Sequence, residues 1–460
     1  MNVESGRRNR LGGASLARVQ RSIVGAGWVV GDQALISASN FVGMVIAARA
    51  MSTTEFGTYA LAYSAIYALN SLQSSLITQP HSVLAAHRDP DEYRRYTTAT
   101  GRMQVILALA LGLPLALAGL IAIGLGAGTA LLAVAAALVA WQAQEFVRRV
   151  LFFEGRLQAV FALDVVSFGG QVAAIGVLAS AGQLTVTSAL LASAVTSTAS
   201  AAIGLWLLRP TFAAEPLPGA VAENLAHGRW LLGAEIGAFV CLNGYPFIIA
   251  ATTGADAVAV YAAAMLILNP LNVIWFAVGN VLPIRLSRAR AKDGDVAARG
   301  ELRRFYLVSM PFIAAYCLLA SIVAGPLLGL LFGEEYAAFG WVVAAISVVR
   351  FVGYHSHVLA IALRAQHNTR PIFLGYVVAA PFSIVAGILL TMRFGLAGAI
   401  LAMLGSTVIW TAVWARAYFG TRLVDGPDPA SAEAAEEGEA LTLASAEDPP
   451  RARPSDGFLS

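Results

Sequence analysis

Apolar residues along this chain gather into long runs separated by short polar breaks. Twelve such runs occur, at 22–48, 57–85, 103–126, 128–152, 158–180, 184–208, 229–251, 254–284, 305–332, 338–363, 371–393 and 395–419. An α-helix needs about 20 mostly apolar residues to cross a bilayer, and the longer runs leave room for tilt. The pattern therefore predicts an all-α polytopic membrane protein with about twelve transmembrane helices. The first run follows Arg18 and Arg21, yet it exceeds a secretory core in length and contains Asp32, Gln33 and Asn40. It reads as an uncleaved first span.

Basic residues orient these spans. With the N-terminus on the cytoplasmic side, 27 of the 30 Lys and Arg fall in cytoplasmic segments; the outer loops hold only Arg49 and Arg393, and Arg350 lies inside a span. Such a bias toward one side supports an even number of spans with both termini cytoplasmic. The inner segment 209–228 carries three prolines between the sixth and seventh runs. It predicts a linker between two six-helix lobes in parallel orientation. The expected organisation is a basic N-terminus at 1–21, a first lobe at 22–208, the linker at 209–228, a second lobe at 229–419 and an acidic tail at 420–460. The tail holds nine acidic and three basic residues, and its composition predicts disorder.

Composition narrows the class further. The chain is 58% hydrophobic and 12% charged, where a soluble domain carries roughly 25% charged residues. Twelve spans leave no length for a soluble catalytic domain. Cys241 and Cys317 both lie in apolar runs, so no disulfide framework is expected. No zinc spacing, phosphate-binding glycine loop or nucleophile elbow occurs. Asp89/Asp91 and Asp293/Asp295 have the DxD spacing of metal-dependent glycosyltransferases but sit in short basic loops without a surrounding domain. Neither a catalytic residue, a metal site nor a resident cofactor is expected, and nothing points to nucleic acid.

Polar residues inside the runs are the candidate chemistry, because a charge at mid-bilayer costs at least ~2.5–3.5 kcal/mol. Ser347, Arg350, Tyr354, His357, Ile361 and Arg364 share one helical face. Guanidinium forks suit phosphate oxygens, so Arg350 with Tyr354 and His357 is a candidate anion-binding stripe. The alternative is a structural Arg350 paired with Asp32 or Glu235. Tyr261, Met265, Asn269, Asn272, Phe276 and Asn280 form a second stripe, interrupted by Pro270. Its amides, notably Asn269 and Asn272, would contact a hydroxyl-rich ligand or bond across helices. Tyr63, Tyr67, Asn70 and Ser74 repeat the theme on the second run, and Gln33, Ser37 and Asn40 on the first. Together these stripes predict a hydrated cavity. Asp32 is a candidate ion-coupling carboxyl or a locally hydrogen-bonded one. Glu145, Arg148 and Arg149, near the cytoplasmic end of the fourth run, are a candidate gate or a set of anchors; Asp164, Glu235 and Arg156 share that level.

The stretch Ala47–Tyr63, AARAMSTTEFGTYALAY, resembles the polysaccharide transporter family: an Arg closes the first span and Glu-Phe-Gly-x-Tyr opens the second. Gln144–Arg156 (QEFVRRVLFFEGR) is similar to the family's segment after span four, and LFGEEY at 331–336 to its loop before span ten. The resemblance covers residues 20 to 420. It implies the fold of the multidrug/oligosaccharidyl-lipid/polysaccharide (MOP) superfamily, with two lobes around a central cavity. It also implies transport of undecaprenyl-pyrophosphate-linked glycans across the bacterial inner membrane, for O-antigen or exopolysaccharide synthesis. Carried onto this chain, Arg49 matches the motif Arg and becomes a candidate pyrophosphate contact. Candidate substrate-binding residues are then Arg49, Arg350, Tyr354, His357, Asn269, Asn272, Asn70 and Tyr63. A proton or sodium ion would be the coupling ion at Asp32. Partners would be the lipid-linked oligosaccharide, membrane lipids, and a polysaccharide polymerase with other export proteins, the transporter itself being a monomer. The related lipid II flippases carry several cavity cations, whereas here one Arg lies deep in a span. A multidrug exporter of the same superfamily is the second reading, and a membrane polymerase or ligase the third.

Overall fold

The structure is a computed structural model and describes residues 27–366 and 368–420. The basic N-terminus expected at 1–21 and the acidic tail beyond 420 lie outside the described residues. Every regular element described is helical.

The described residues begin with α1 (Gly27–Ala50). Ser52 then caps α2 (Thr53–Gln73), its hydroxyl accepting from the Glu55 amide while Glu55 reaches back to the Ser52 amide; this reciprocal box satisfies two amides that a helix start leaves open. A π segment (Ser74–Thr78) joins α2 to α3 (Gln79–Ala85). Asp89 caps α4 (Pro90–Ile121), with Pro90 in the first turn. This is the local job of the Asp89/Asp91 pair, since Asp89 Oδ1 accepts from the Asp91 and Glu92 amides. α5 (Gly128–Phe153) follows, then α6 (Leu157–Asp164), a π segment (Val165–Gly169), α7 (Gly170–Ser180) and α8 (Val186–Leu207). α9 (Ala220–Leu242) starts inside the segment 209–228 expected as a linker, so the later part of that segment is helical; then come α10 (Tyr245–Thr253), α11 (Ala255–Leu268), α12 (Pro270–Phe332), α13 (Glu334–Ala337), α14 (Gly340–Ala365) and α15 (Arg370–Gly420).

Eight of the described helices are long and apolar enough to cross a membrane, and α9 with α10 forms a bent pair at 46°. At 1.5 Å per residue the 63-residue α12 would run for about 95 Å, some three bilayer thicknesses. It is in fact two helices meeting at Gly294, whose φ of 81° only glycine adopts readily. α15 breaks the same way at Gly395, φ 58°. The basic segment expected as a loop at 285–304 is therefore helical except at that break, its Ala, Arg and Glu content favouring helix.

Side-chain exposure fits a lipid solvent. Ile106, Leu109, Leu113, Leu117 and Leu120 form an exposed apolar stripe on α4, a surface that water would penalise and acyl chains cover. α5 is the most enclosed span, packed between α4 and α8. By contact, two compact units are distinguished. The described part of Met1–Ile267 with Ser321–Ile346 and Ala380–Ser406 forms one; Leu268–Ala320, Ser347–Ala379 and the described part of Thr407–Ser460 form the other.

Candidate functional site

In the first unit a guanidinium sits among three carboxylates. Arg148, on α5, donates from one terminal nitrogen to Asp32 Oδ2 at 2.7 Å and from Nε to Asp164 Oδ2 at 2.6 Å. Its other terminal nitrogen reaches Glu145 Oε2 at 3.5 Å. Gln144 Nε2 donates to the second oxygen of Asp164 at 2.9 Å. α1, α5 and α6 thus meet on a charge network, with Asp164 fully buried and Asp32 3% exposed. The Oδ1 of Asp32 is buried without a hydrogen-bond partner. Buried charges persist only when paired, and the short spacing of Gln144, Glu145 and Arg148 along α5 delivers three of the partners from two turns of helix. Arg149 sits at the exposed edge, donating to Glu145 Oε1 at 2.5 Å.

A second cluster of the first unit joins the end of α1 and the start of α2 to α11, α13 and the end of α12. Arg49 donates from Nε to the Leu331 carbonyl at 3.0 Å and from a terminal nitrogen to the Leu330 carbonyl. These are carbonyls that a helix C-terminus leaves open, so Arg49 acts as their cap. Thr54 donates its hydroxyl to Asp256 Oδ1 at 2.6 Å. Phe56 is fully buried and meets Tyr336 edge-on at 6.4 Å between ring centroids. Burial pushes the Tyr336 phenol up to about 12, so it remains neutral at ordinary pH. Gly57 lies so close to α11 that a Cβ there would stand 1.8 Å from the Ala255 carbonyl oxygen.

In the second unit, Arg350 of α14 is half-buried with its guanidinium 5.6 Å from the Trp275 ring centroid. His357 stacks on the same indole at 5.4 Å and donates its Nε2–H to the Trp275 carbonyl at 3.0 Å. One indole ring thus organises both groups, a cation–π arrangement in the case of the arginine.

The predicted residues separate accordingly. Arg350 and His357 are brought together through Trp275, which the sequence reading did not single out. Tyr354 is fully buried and gives its hydroxyl to Ser309 at 2.5 Å, so the expected stripe divides between a packed side and an aromatic-lined side. Asn269 and Asn272 are exposed and bond to each other at 3.3 Å. Tyr63 donates to Asn40 Oδ1 at 3.1 Å, packs on Trp141 and lines a cavity of about 10 Å³, room for about one water. Asn70 presents a buried Oδ1 without a hydrogen-bond partner. Glu145, Arg148 and Arg149 are mutual ion pairs, and they extend to Asp32 and Asp164. Arg156 instead pairs with Glu154 at 3.4 Å. Asp32, weighed as a partner for Arg350, holds Arg148. That partnership joins positions 116 residues apart, and only the coexistence of a lone buried acid and a lone buried base could have hinted at it. Among the described residues no group of three His, Cys, Asp or Glu side chains is placed to hold a metal ion.

A family described as polysaccharide biosynthesis protein matches residues 46–341. No curated protein sequence matches the chain. Among solved structures, the fold is similar to an inward-facing multidrug resistance MATE family transporter of the MOP superfamily, with a TM-score of 0.68 and 12% identity over 84% of this chain and 93% of that one. It is similar to the lipid II flippase MurJ in an inward closed conformation, with a TM-score of 0.67 and 11% identity over 87% and 88%. It is also similar to the MATE transporter VcmN of Vibrio cholerae, at 0.58 and 12% over 88% and 99%.

Proposed function

The chain belongs to the polysaccharide biosynthesis protein family, on the MOP transporter fold, and on that ground we propose that it flips undecaprenyl-pyrophosphate-linked oligosaccharide repeat units across the bacterial inner membrane. The family match is the observation that carries this reading; it spans residues 46–341 and takes in all three motif stretches. Alternating access would move the glycan head group through a polar path while the polyprenyl tail stays in lipid. Arg350 is the group best suited to a pyrophosphate, since its guanidinium lies over the Trp275 ring on which His357 also stacks. Arg49 would contact the substrate only when its helix-capping bonds to Leu330 and Leu331 are released. Tyr63 and Asn70 of α2, with Asn269 and Asn272 at the start of α12, would meet sugar hydroxyls.

The multidrug-exporter reading needs Asp32 to carry a coupling cation. Arg148 already supplies a positive charge at 2.7 Å, and it would have to leave before Asp32 could take up either a sodium ion or a proton. Transport measured against imposed proton and sodium gradients, in wild type and Asp32→Asn, separates these cases. For the main reading, deletion of the gene is expected to trap the lipid-linked glycan on the inner leaflet and to remove surface polysaccharide. Unchanged surface polysaccharide with lost drug efflux would overturn it.

A further inference from the structure

A groove of about 460 Å³ lies within the second unit, between α12, α14 and the end of α15. Leu302, Tyr306, His355, Val358, Leu359 and Phe419 make its walls, while Arg299 and Arg303 stand at its rim. It does not include Arg350 or any other residue placed in the transport reading. Beside it, Leu307 is 61% and Phe419 67% exposed, so the groove opens on a surface suited to acyl chains.

The two rim arginines are held differently. Arg299 lies over the Tyr418 ring at 5.2 Å and donates to the Tyr418 carbonyl at 3.1 Å, which fixes its position. Arg303 is exposed and makes no hydrogen bond or ion pair among the described residues. Nearby acids are already engaged, Asp295 with Arg290 at 2.9 Å and Glu301 with Arg285 at 3.3 Å. The rim therefore presents one fixed and one available guanidinium above an apolar trough. This matches an amphiphile with a singly charged phosphodiester head and a hydrocarbon chain, and guanidinium binds such oxygens with forked hydrogen bonds. By the distribution of basic residues the groove lies at the cytoplasmic leaflet, where anionic head groups gather at basic sites.

We propose that this groove binds one anionic glycerophospholipid, its phosphate held by Arg303 and Arg299 and an acyl chain laid along Leu302, Val358 and Leu359. A bound lipid would tie the end of α15 to α12 and α14. The proposal does not depend on the flippase reading, because its readout is lipid binding and not transport.

The test uses the purified full chain in detergent, titrated with phosphatidylglycerol or phosphatidylcholine and read by native mass spectrometry. One phosphatidylglycerol should be retained in preference to phosphatidylcholine. Arg303→Ala, which removes one charge-assisted contact, should weaken retention about tenfold. Arg304→Ala, an exposed neighbour outside the groove, should leave retention unchanged, and Leu359→Trp, which fills the trough without touching the charge, should reduce it. Equal binding of the two lipids overturns the proposal. So does an Arg304→Ala loss as large as that of Arg303→Ala, which would mean diffuse surface charge. Displacement of phosphatidylglycerol by an equal mole fraction of undecaprenyl phosphate would also overturn it, assigning the groove to an isoprenoid.

Discussion

Removing the guanidinium of Arg148 would strand Asp32 and Asp164, both buried, without a counter-charge. Breaking a buried ion pair by deleting one partner typically costs about 3–5 kcal/mol. Arg148→Gln should therefore lower the unfolding temperature sharply in detergent, and the double variant Arg148→Gln with Asp32→Asn should recover part of the loss by removing one orphaned charge. A single variant as stable as wild type would show that the network does not hold α1 to α5 and α6. Arg350 makes a different case, since it is half-buried over Trp275. Arg350→Ala is expected to abolish surface polysaccharide at normal protein level, with Arg350→Lys restoring it only partly, because an ammonium has neither the fork nor the planar stacking surface. Full complementation by the Ala variant would remove Arg350 from the mechanism. Residue chemistry was only partly legible beforehand. Local partners such as Glu145 with Arg148 follow from helical spacing, and Arg350 stood out by its depth. Its aromatic support at Trp275, 75 residues away, and the Asp32–Arg148 pair are tertiary facts that no periodicity encodes.

At the scale of elements, the hydropathy pattern marked apolar helices because lipid imposes one rule on every exposed face, and eight of the described helices are long and apolar enough to cross a membrane. It could not place the breaks. Gly294 and Gly395 are two among 43 glycines, and only their left-handed backbone marks them as the joints of α12 and α15. The π segments at Ser74–Thr78 and Val165–Gly169 are equally silent in sequence. Gly57 is the element-scale residue whose role is sharpest: it lets α2 approach α11 to within a distance that any side chain would prevent. A methyl at Gly57 would collide with the backbone oxygen of Ala255, and backbone cannot swing aside as a side chain does. Gly57→Ala should accordingly separate α2 from α11 and weaken the Thr54–Asp256 and Phe56–Tyr336 contacts. Increased accessibility of a cysteine placed at Thr54 to a membrane-impermeant maleimide measures this, and unchanged labelling would mean that α2 and α11 accommodate the methyl in place.

For the molecule as a whole, two of the sequence stretches that carried the family resemblance converge in space, although more than 260 residues separate them. Arg49, Thr54, Phe56 and Gly57 come from one, and Leu331 and Tyr336 from the other, with Asp256 joining them from α11. That two such stretches meet is explained if the meeting point has a mechanical duty. Under the proposed flippase reading, with the orientation that the basic residues predict, this point would lie on the outer side and would close the path by which a glycan leaves. On that reading, delivery of a head group to the outer leaflet would require these contacts to part and re-form in each cycle. Thr54→Cys with Asp256→Cys, in a background where the buried Cys241 and Cys317 are replaced by Ala, offers a direct check, since the native Thr54 and Asp256 oxygens lie 2.6 Å apart. Joining the two thiols by oxidation or a short bifunctional reagent should stop delivery of glycan to the outer leaflet while leaving the inner-leaflet intermediate to accumulate. Where the joint is a disulfide, reductant should restore transport. Transport continuing at full rate in fully joined protein would show that the outer contact never opens, and the glycan would need another exit.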